Sequence, residues 1–265
     1  MKIAVCVKSV PDPVYYDKII IEPETKTLVR TGIPAIINPS DKHALELALQ
    51  MKERFGGSIT VISMAPPAAK QQMLEALAYG ADEAYMLSDR KVAGADTLAT
   101  SYALSQVIRA SGEYDLVLAG NESADGATSQ VPSQLAEWLG MGHSMNVIAA
   151  EMEDETHVLV TKQFENGQGT YRLQLPCVLA VHQRINQTRY VNAIAVLKAK
   201  NKPLHILGAE DLPQLDERYI GLSGSPTQNG ELESVESSKN CQMLEGEDSE
   251  IATQILNLIQ PILGR

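Results

Sequence analysis

Runs of β-branched and aliphatic residues alternate along this chain with stretches whose apolar positions recur at three- and four-residue steps. Residues 3–7 form a continuous apolar run, which predicts a first strand buried on both faces. Pro11-Asp12-Pro13 then marks a loop. Residues 19–21 and 27–29, separated by Glu22-Pro23-Glu24-Thr25, predict a small hairpin. After Asn38-Pro39, Ser40 or Asp41 is placed to cap a helix in which Ala44, Leu47, Ala48 and Met51 share one face. That helix should end near Gly56-Gly57, and residues 59–64 read as a second strand. Pro66-Pro67 opens a helix through Met73, Leu74 and Leu77, stopped by Gly80. Residues 84–87 predict a third strand, and Gly94-Ala95-Asp96-Thr97 starts a helix through Leu104, Val107 and Ile108. Residues 115–119 predict a fourth strand, followed by a polar, glycine-bearing loop. Val131, Leu135, Trp138 and Leu139 then mark a helix that ends at Gly140.

Strand and helix thus alternate with short connections. That order predicts the α/β class: a Rossmann-like, doubly wound, mainly parallel sheet with helices on both faces and right-handed crossovers. The pattern then changes. Residues 157–161 and 170–173 flank Glu165-Asn166-Gly167, an added hairpin, and residues 177–181 read as a further strand. Residues 221–265 hold seven acidic side chains against Lys239 and Arg265. One helix returns there, started by Asp248 or Ser249, with Ile251, Ile255, Leu258 and Ile259 along one stripe. An isolated helix cannot bury such a stripe by itself. It either folds back on its own domain or lies as an extended C-terminal arm on a partner chain.

Composition narrows the function classes. With 44% hydrophobic and 21% charged residues over 265 positions, the chain is globular. A net charge of -11 argues against phosphate-backbone binding, and 5% aromatic residues argue against a base-stacking platform, so no nucleic-acid partner is expected. No apolar run reaches the length of a membrane span. No signal segment is visible at Met1-Lys2-Ile3-Ala4-Val5, and a cytoplasmic location is the default expectation. Cys6, Cys177 and Cys241 are too scattered for a disulfide framework, and the five histidines show no metal-ligand spacing.

In an open parallel sheet, ligands bind beyond the carboxyl ends of the strands at the switch point. Four segments should arrive there: residues 6–8, 63–66, 88–97 and 120–131. The last joins a strand to a helix through Asp125-Gly126-Ala127-Thr128-Ser129-Gln130. Small side chains permit close backbone approach, and N–H groups at a helix start suit a phosphate. Asp96 is placed to accept from a ribose hydroxyl, with Thr97 beside it, and Lys8 is a candidate phosphate ligand. The plain alternative for each loop is a capped helix start. Neither G-x-G-x-x-G nor a Walker A sequence occurs, and no G-x-S-x-G elbow or nucleophile–base pair is seen, so no catalytic residues are assigned.

These residues resemble the beta subunit of the electron-transfer flavoproteins. The likeness is carried by Val5-Cys6-Val7-Lys8-Ser9-Val10-Pro11-Asp12, by Ile37-Asn38-Pro39-Ser40-Asp41 and by Leu77-Ala78-Tyr79-Gly80-Ala81-Asp82. Asp125-Gly126-Ala127-Thr128-Ser129-Gln130-Val131, Arg189-Tyr190 with Lys198-Ala199-Lys200, and Gly221-Leu222-Ser223-Gly224-Ser225-Pro226-Thr227 continue it in order. The resemblance implies a fold of the adenine nucleotide alpha hydrolase-like kind and a heterodimer with a larger alpha subunit, the two chains sharing an FAD. It implies a second adenine nucleotide within this chain, either AMP or a second FAD. By likeness, the contacts fall on Cys6, Asn38, Pro39, Ser40, Asp41, Met64, Gly120, Asn121, Glu122, Ser123, Ala124, Asp125, Gly126, Ala127, Thr128, Ser129, Gln130 and Val131. Asp96 and Thr97 would lie along the longer cofactor.

Tyr85-Met86-Leu87-Ser88-Asp89-Arg90 and the segment from Gly94 to Thr100 look like the electron-bifurcating branch, in which the second FAD exchanges hydride with NADH. The implied organisation is a nucleotide-binding domain over residues 1–190, a partner-docking loop and connector over 191–220, and an arm over 221–265 that contacts the alpha subunit. The docking loop implies an acyl-CoA dehydrogenase or another flavin dehydrogenase as redox partner. Val191-Asn192-Ala193-Ile194 departs from the family's usual loop, which leaves that partner's identity open. The rival reading is a stand-alone adenine-nucleotide-binding module of the universal-stress type.

Overall fold

The computed structural model describes residues 1–18, 20–21, 28–29, 32–227, 230 and 241–263, and the chain divides into two units, Met1–Gly230 and Glu231–Arg265. In chain order the first unit contains β1 (Lys2–Cys6), β2 (Ser9–Pro11), β3 (Ile20–Ile21), β4 (Leu28–Val29), β5 (Ala35–Ile37), α1 (Pro39–Phe55), β6 (Ser58–Met64), α2 (Lys70–Tyr79), β7 (Glu83–Leu87) and α3 (Thr97–Ser111). It continues with β8 (Leu116–Gly120), α4 (Val131–Leu139), β9 (Gly142–Met152), β10 (His157–Phe164), β11 (Gly167–Gln174), β12 (Cys177–Val181), α5 (Ala193–Ala199) and β13 (Leu204–Leu207). The second unit carries α6 (Asp248–Leu263).

Among the described residues, nine strands form one sheet in the order β11-β10-β9-β12-β8-β1-β6-β7-β13. The seven from β9 to β13 in that order run parallel, and β10 and β11 add an antiparallel edge. Strand alternation sorts the core into two layers. Ile3, Val5 and Val7 face the layer with α1 and α2 residues such as Leu45, Ala48 and Met73. Ala4 and Cys6 face the other layer, with Tyr102, Val107 and Leu135 of α3 and α4. Burial on both faces is why the central strands read as unbroken apolar runs.

The predicted elements recur with some corrections. The hairpin near residue 20 pairs Ile20 with Val29 and Ile21 with Leu28, while Ile19 and the turn lie outside the described residues. Helix α1 starts at Pro39, so its cap position is Asn38 and neither Ser40 nor Asp41 caps it. The later hairpin turns through Glu165-Asn166, with Phe164 opposite Gly167. Strands β9 and β13 are additions to the pattern. Residues 191–196 are not a loop throughout: Asn192 accepts the Ala195 N–H at 2.8 Å and starts α5.

The first residues of the expected arm form a strap on the first unit. Asp96 N–H donates to Ser225 Oγ at 2.8 Å, and Asp96 Oδ2 accepts from Thr227 Oγ1 at 2.7 Å. Gly221 sits at φ +59°, where a Cβ would lie 2.1 Å from the Lys91 carbonyl, so only glycine passes here.

Candidate nucleotide-binding site

From β1 the chain adds β6 and β7 on one side, then crosses back to place β8 and β12 on the other. The switch point is therefore the β1–β8 pair, and the segments beyond their carboxyl ends begin at Val7-Lys8 and Asn121. Helix α1 is brought against this edge by Gly120. A Cβ there would lie 2.4 Å from Asp41 Oδ1 and 2.6 Å from Ser40 Cβ, so the strand end and helix start touch only because the residue is glycine.

Asp41 joins the three elements. Its Oδ2 accepts the Lys8 N–H at 2.7 Å, and its Oδ1 accepts Asn38 Nδ2 at 2.9 Å and the Gly120 N–H at 3.1 Å. Burial pushes this carboxyl up to about 6, and the bonds from Lys8, Asn38 and Gly120 limit the rise. Asn38 also donates to the Glu122 carbonyl at 2.9 Å and accepts the Ala124 N–H at 3.0 Å, which fixes the start of the loop. Asn121 accepts the Asn146 N–H at 2.9 Å, a contact that sequence reasoning missed; its one signal is that Asn146 occupies φ +55°, a conformation asparagine tolerates.

The outer loop carries the polar groups. Lys8 Nζ reaches Asp125 Oδ1 at 2.6 Å and Ser123 Oγ at 3.2 Å. Ala127 and Ser129 hold φ of +46° and +55°, which costs each about 1 kcal/mol. Ser129 Oγ donates to Glu122 Oε2 at 3.1 Å, and Thr97 Oγ1 donates to Gln130 Oε1 at 2.8 Å. Thr128 is exposed, and its hydroxyl bonds to no described residue. At Gly126 a Cβ would meet only Ser123 Oγ, at 3.2 Å, a tight contact that the serine side chain must yield to.

The helix starts differ in a way that bears on function. Helices α1 and α4 have no side-chain cap at Asn38 and Gln130; Pro39 and Pro132 carry no N–H, and in α1 the Asp41 and Lys42 N–H groups donate to the Asn38 carbonyl, so α4 has the more open start. Helix α3 is capped by Asp96, whose Oδ1 accepts the Ala99 N–H at 3.0 Å. Asp96 Oδ2 is already taken by the Thr227 N–H and hydroxyl, so the expected ribose acceptor is engaged with the strap. Burial works against the Asp96 charge, but the bonds from Thr227 and Ala99 outweigh it and hold the carboxyl below its usual value.

The remaining predicted positions surround this edge. Pro39 is the first residue of α1, and Ser40 Oγ accepts Gln183 Nε2 at 3.2 Å. Val131 is the first residue of α4, and Met64, half-buried at the end of β6, packs on the α3–α4 layer. Cys6 is buried, and burial followed by the Asp41 charge pushes its thiol up to about 12, so it is protonated and not a nucleophile.

The mainly parallel nine-strand sheet with helices on both faces defines a Rossmann-like α/β protein, a class whose ligands bind at the switch point. The chain matches the electron transfer flavoprotein domain over residues 25–212. It is 43% identical over 228 residues to an electron transfer flavoprotein subunit beta of Thermoanaerobacterium thermosaccharolyticum, covering 86% of this chain and 85% of the relative. It is 42% identical over 229 residues to the caffeyl-CoA reductase-Etf complex subunit CarD of Acetobacterium woodii, covering 86% of each. It is 40% identical over 230 residues to Protein FixA of Bradyrhizobium diazoefficiens, covering 84% of this chain and 78% of the relative. The chain belongs to the electron transfer flavoprotein family. No helix among the described residues is long and apolar enough to cross a membrane.

Proposed function

We propose that this chain is the beta subunit of a heterodimeric electron-transfer flavoprotein and binds an adenine nucleotide at the β1–β8 switch point. The observation that supports the nucleotide assignment is the start of α4, which no side chain caps, following a loop in which the exposed Thr128 hydroxyl bonds to no described residue. The backbone N–H groups at the start of α4, with the positive end of its dipole, would hold a phosphate. Thr128 would add a hydroxyl, and Ser129 could exchange its bond to Glu122 for one to the ligand. Lys8 would supply positive charge to the same point.

Among the described residues no side chains are arranged as an acid–base pair at this edge. Its residues bind and orient; a bound flavin supplies the redox chemistry. The shared FAD would lie between this chain and the alpha subunit, and α6 would serve as the arm on that subunit. Its exposed Ile255, Leu256, Leu258, Ile259 and Ile262 offer the apolar face for such a contact. The exposed Tyr190, Ile194 and Leu197 would meet an acyl-CoA dehydrogenase or another flavin dehydrogenase. The resemblance of residues 85–100 to the bifurcating branch favours a second FAD at the switch point, reached by NADH.

The test is a count of flavin and adenine nucleotide released by denaturing the purified heterodimer. Two FAD per heterodimer are expected. One FAD with AMP would overturn bifurcation and leave the carrier reading intact. No adenine nucleotide in addition to the shared flavin would overturn the site.

A further inference from the structure

After β12 the chain runs back along α1 before it reaches the exposed residues of α5. Gln183 Nε2 donates to Ser40 Oγ at 3.2 Å. Asn186 donates to the His43 carbonyl at 3.0 Å and lies 2.8 Å from His43 Nδ1. Arg189 then closes on Glu46: its Nε and backbone N–H reach Oε2 at 2.9 and 3.1 Å, and its Nη2 reaches Oε1 at 2.9 Å. Arg189 Nη1 also reaches Glu53 Oε1 at 2.7 Å. Ser40, His43, Glu46 and Glu53 follow helical spacing, so one face of α1 holds the whole segment.

The next residue, Tyr190, is 100% exposed, and Ile194 and Leu197 follow at 64% and 62%. The far end of α5 has its own pin, because Lys202 Nζ donates to the Leu77 and Ala81 carbonyls at 2.9 and 2.6 Å. The Glu46 side chain is only 4% exposed. A half-buried ion pair stabilises little, but the two-pronged guanidinium fixes rotation as well as distance. It sits directly before the apolar residues that need a fixed orientation.

We infer that Arg189 and Glu46 are positioning residues: their clamp on α1 orients Tyr190 and the exposed face of α5 for docking to the redox partner. This rests on the docking role proposed above. Without the clamp the segment would have to be ordered at the moment of encounter, which weakens docking by about tenfold. Flavin binding and the transfer step would be unaffected.

The experiment uses the complete heterodimer and a purified acyl-CoA dehydrogenase as the titrated partner. Glu46→Gln combined with Arg189→Met removes the clamp without stranding a buried charge. Its KM for the dehydrogenase should rise about tenfold, with kcat and flavin content at the wild-type level. Arg189→Lys keeps the charge but loses the fork and should fall between the two. Ile194→Glu separates the premises. If it raises KM while the double variant does not, the clamp inference is overturned and the docking role stands. If neither raises KM, the docking role is overturned as well. A parallel loss of kcat, flavin and KM in the double variant would mean a general loss of fold and would also overturn the inference.

Discussion

The Lys8 backbone N–H donates to Asp41 Oδ2 at 2.7 Å, so a buried carboxylate on α1 holds the chain as it leaves β1. Residues 33 positions apart are thereby fixed at the edge where the nucleotide is proposed to bind. Among the described residues Asp41 receives N–H donors only, which is the environment of an anion, while its burial opposes that charge.

Asp41 should therefore give the fold a recognisable pH dependence. Its carboxyl rises from 3.8 to about 6 on folding, chiefly through burial. A raised value means that the folded form binds the proton more tightly. The stabilisation is fully present below pH about 4 and is lost as pH rises through about 6, a swing of about 3 kcal/mol. Asp41→Asn removes this dependence. It also turns an amide N–H toward the Lys8 N–H, a cost of about 1–3 kcal/mol at every pH. Urea unfolding of both proteins between pH 4 and 7 should show the wild-type advantage growing toward low pH. The depressed carboxyls, Glu46 and Asp96 among them, are common to both proteins and cancel in the difference.

Gly120→Ala tests the contact between the β8 end and the α1 start. The added methyl meets Ser40 Cβ and its backbone carbonyl carbon at 2.6 and 2.8 Å, and the backbone cannot retreat as a side chain would. A loss of about 3 kcal/mol or more is expected, read as a lower urea midpoint. An unchanged midpoint would show that α1 moves freely at this end.

How much of this was readable beforehand differs by element. The central parallel strands β1, β6, β7, β8 and β12 and helices α1 to α4 follow from apolar runs and helical spacing, because burial on both faces leaves an unmistakable pattern. Strand β9 was missed because its exposure does not alternate cleanly and Asn146 interrupts it at φ +55°. Strand β13 is four residues at a sheet edge and includes His205, and α5 is seven residues whose apolar side chains face outward. The candidate loops were readable because strand order decides which ends meet. The pairs within them were not. Lys8 and Asp125 are 117 positions apart, and Asp96 and Thr227 are 131 apart. No local spacing reveals that a well-placed aspartate is already occupied by a distant strap.

That strap sets where the arm should be cut. Residues 221–227 are bonded to the first unit, so truncation after Gly230 removes only the second unit. The shortened chain should fold, keep its nucleotide and unfold at the wild-type midpoint. Its affinity for the alpha subunit should fall by about a hundredfold or more, from loss of the apolar face of α6. Sedimentation or calorimetry of the two subunits reads this directly. Unchanged affinity would assign α6 another role.

The loop from Gly120 to Val131 provides the sharpest test of nucleotide binding, since two of its residues separate binding from folding. Thr128 is exposed with no hydroxyl partner among the described residues, so Thr128→Ala should leave the fold untouched. If its hydroxyl bonds a phosphate, the substitution costs about 1.5–3 kcal/mol of binding, or about one to two decades in affinity. Gly126→Val should go further. Its first added carbon meets only Ser123 Oγ, at 3.2 Å, a side chain that can turn aside, so the fold should lose little. With a nucleotide against the loop, the isopropyl group blocks the close backbone approach that glycine allows. Binding of AMP and FAD to nucleotide-stripped heterodimer, measured beside the urea midpoint, distinguishes these effects. Weaker binding at a constant midpoint in both variants, larger for Gly126→Val, is the expected outcome. Equal loss of binding and stability would reduce the loop to a structural connection, and unchanged binding in both would move the nucleotide elsewhere on the chain.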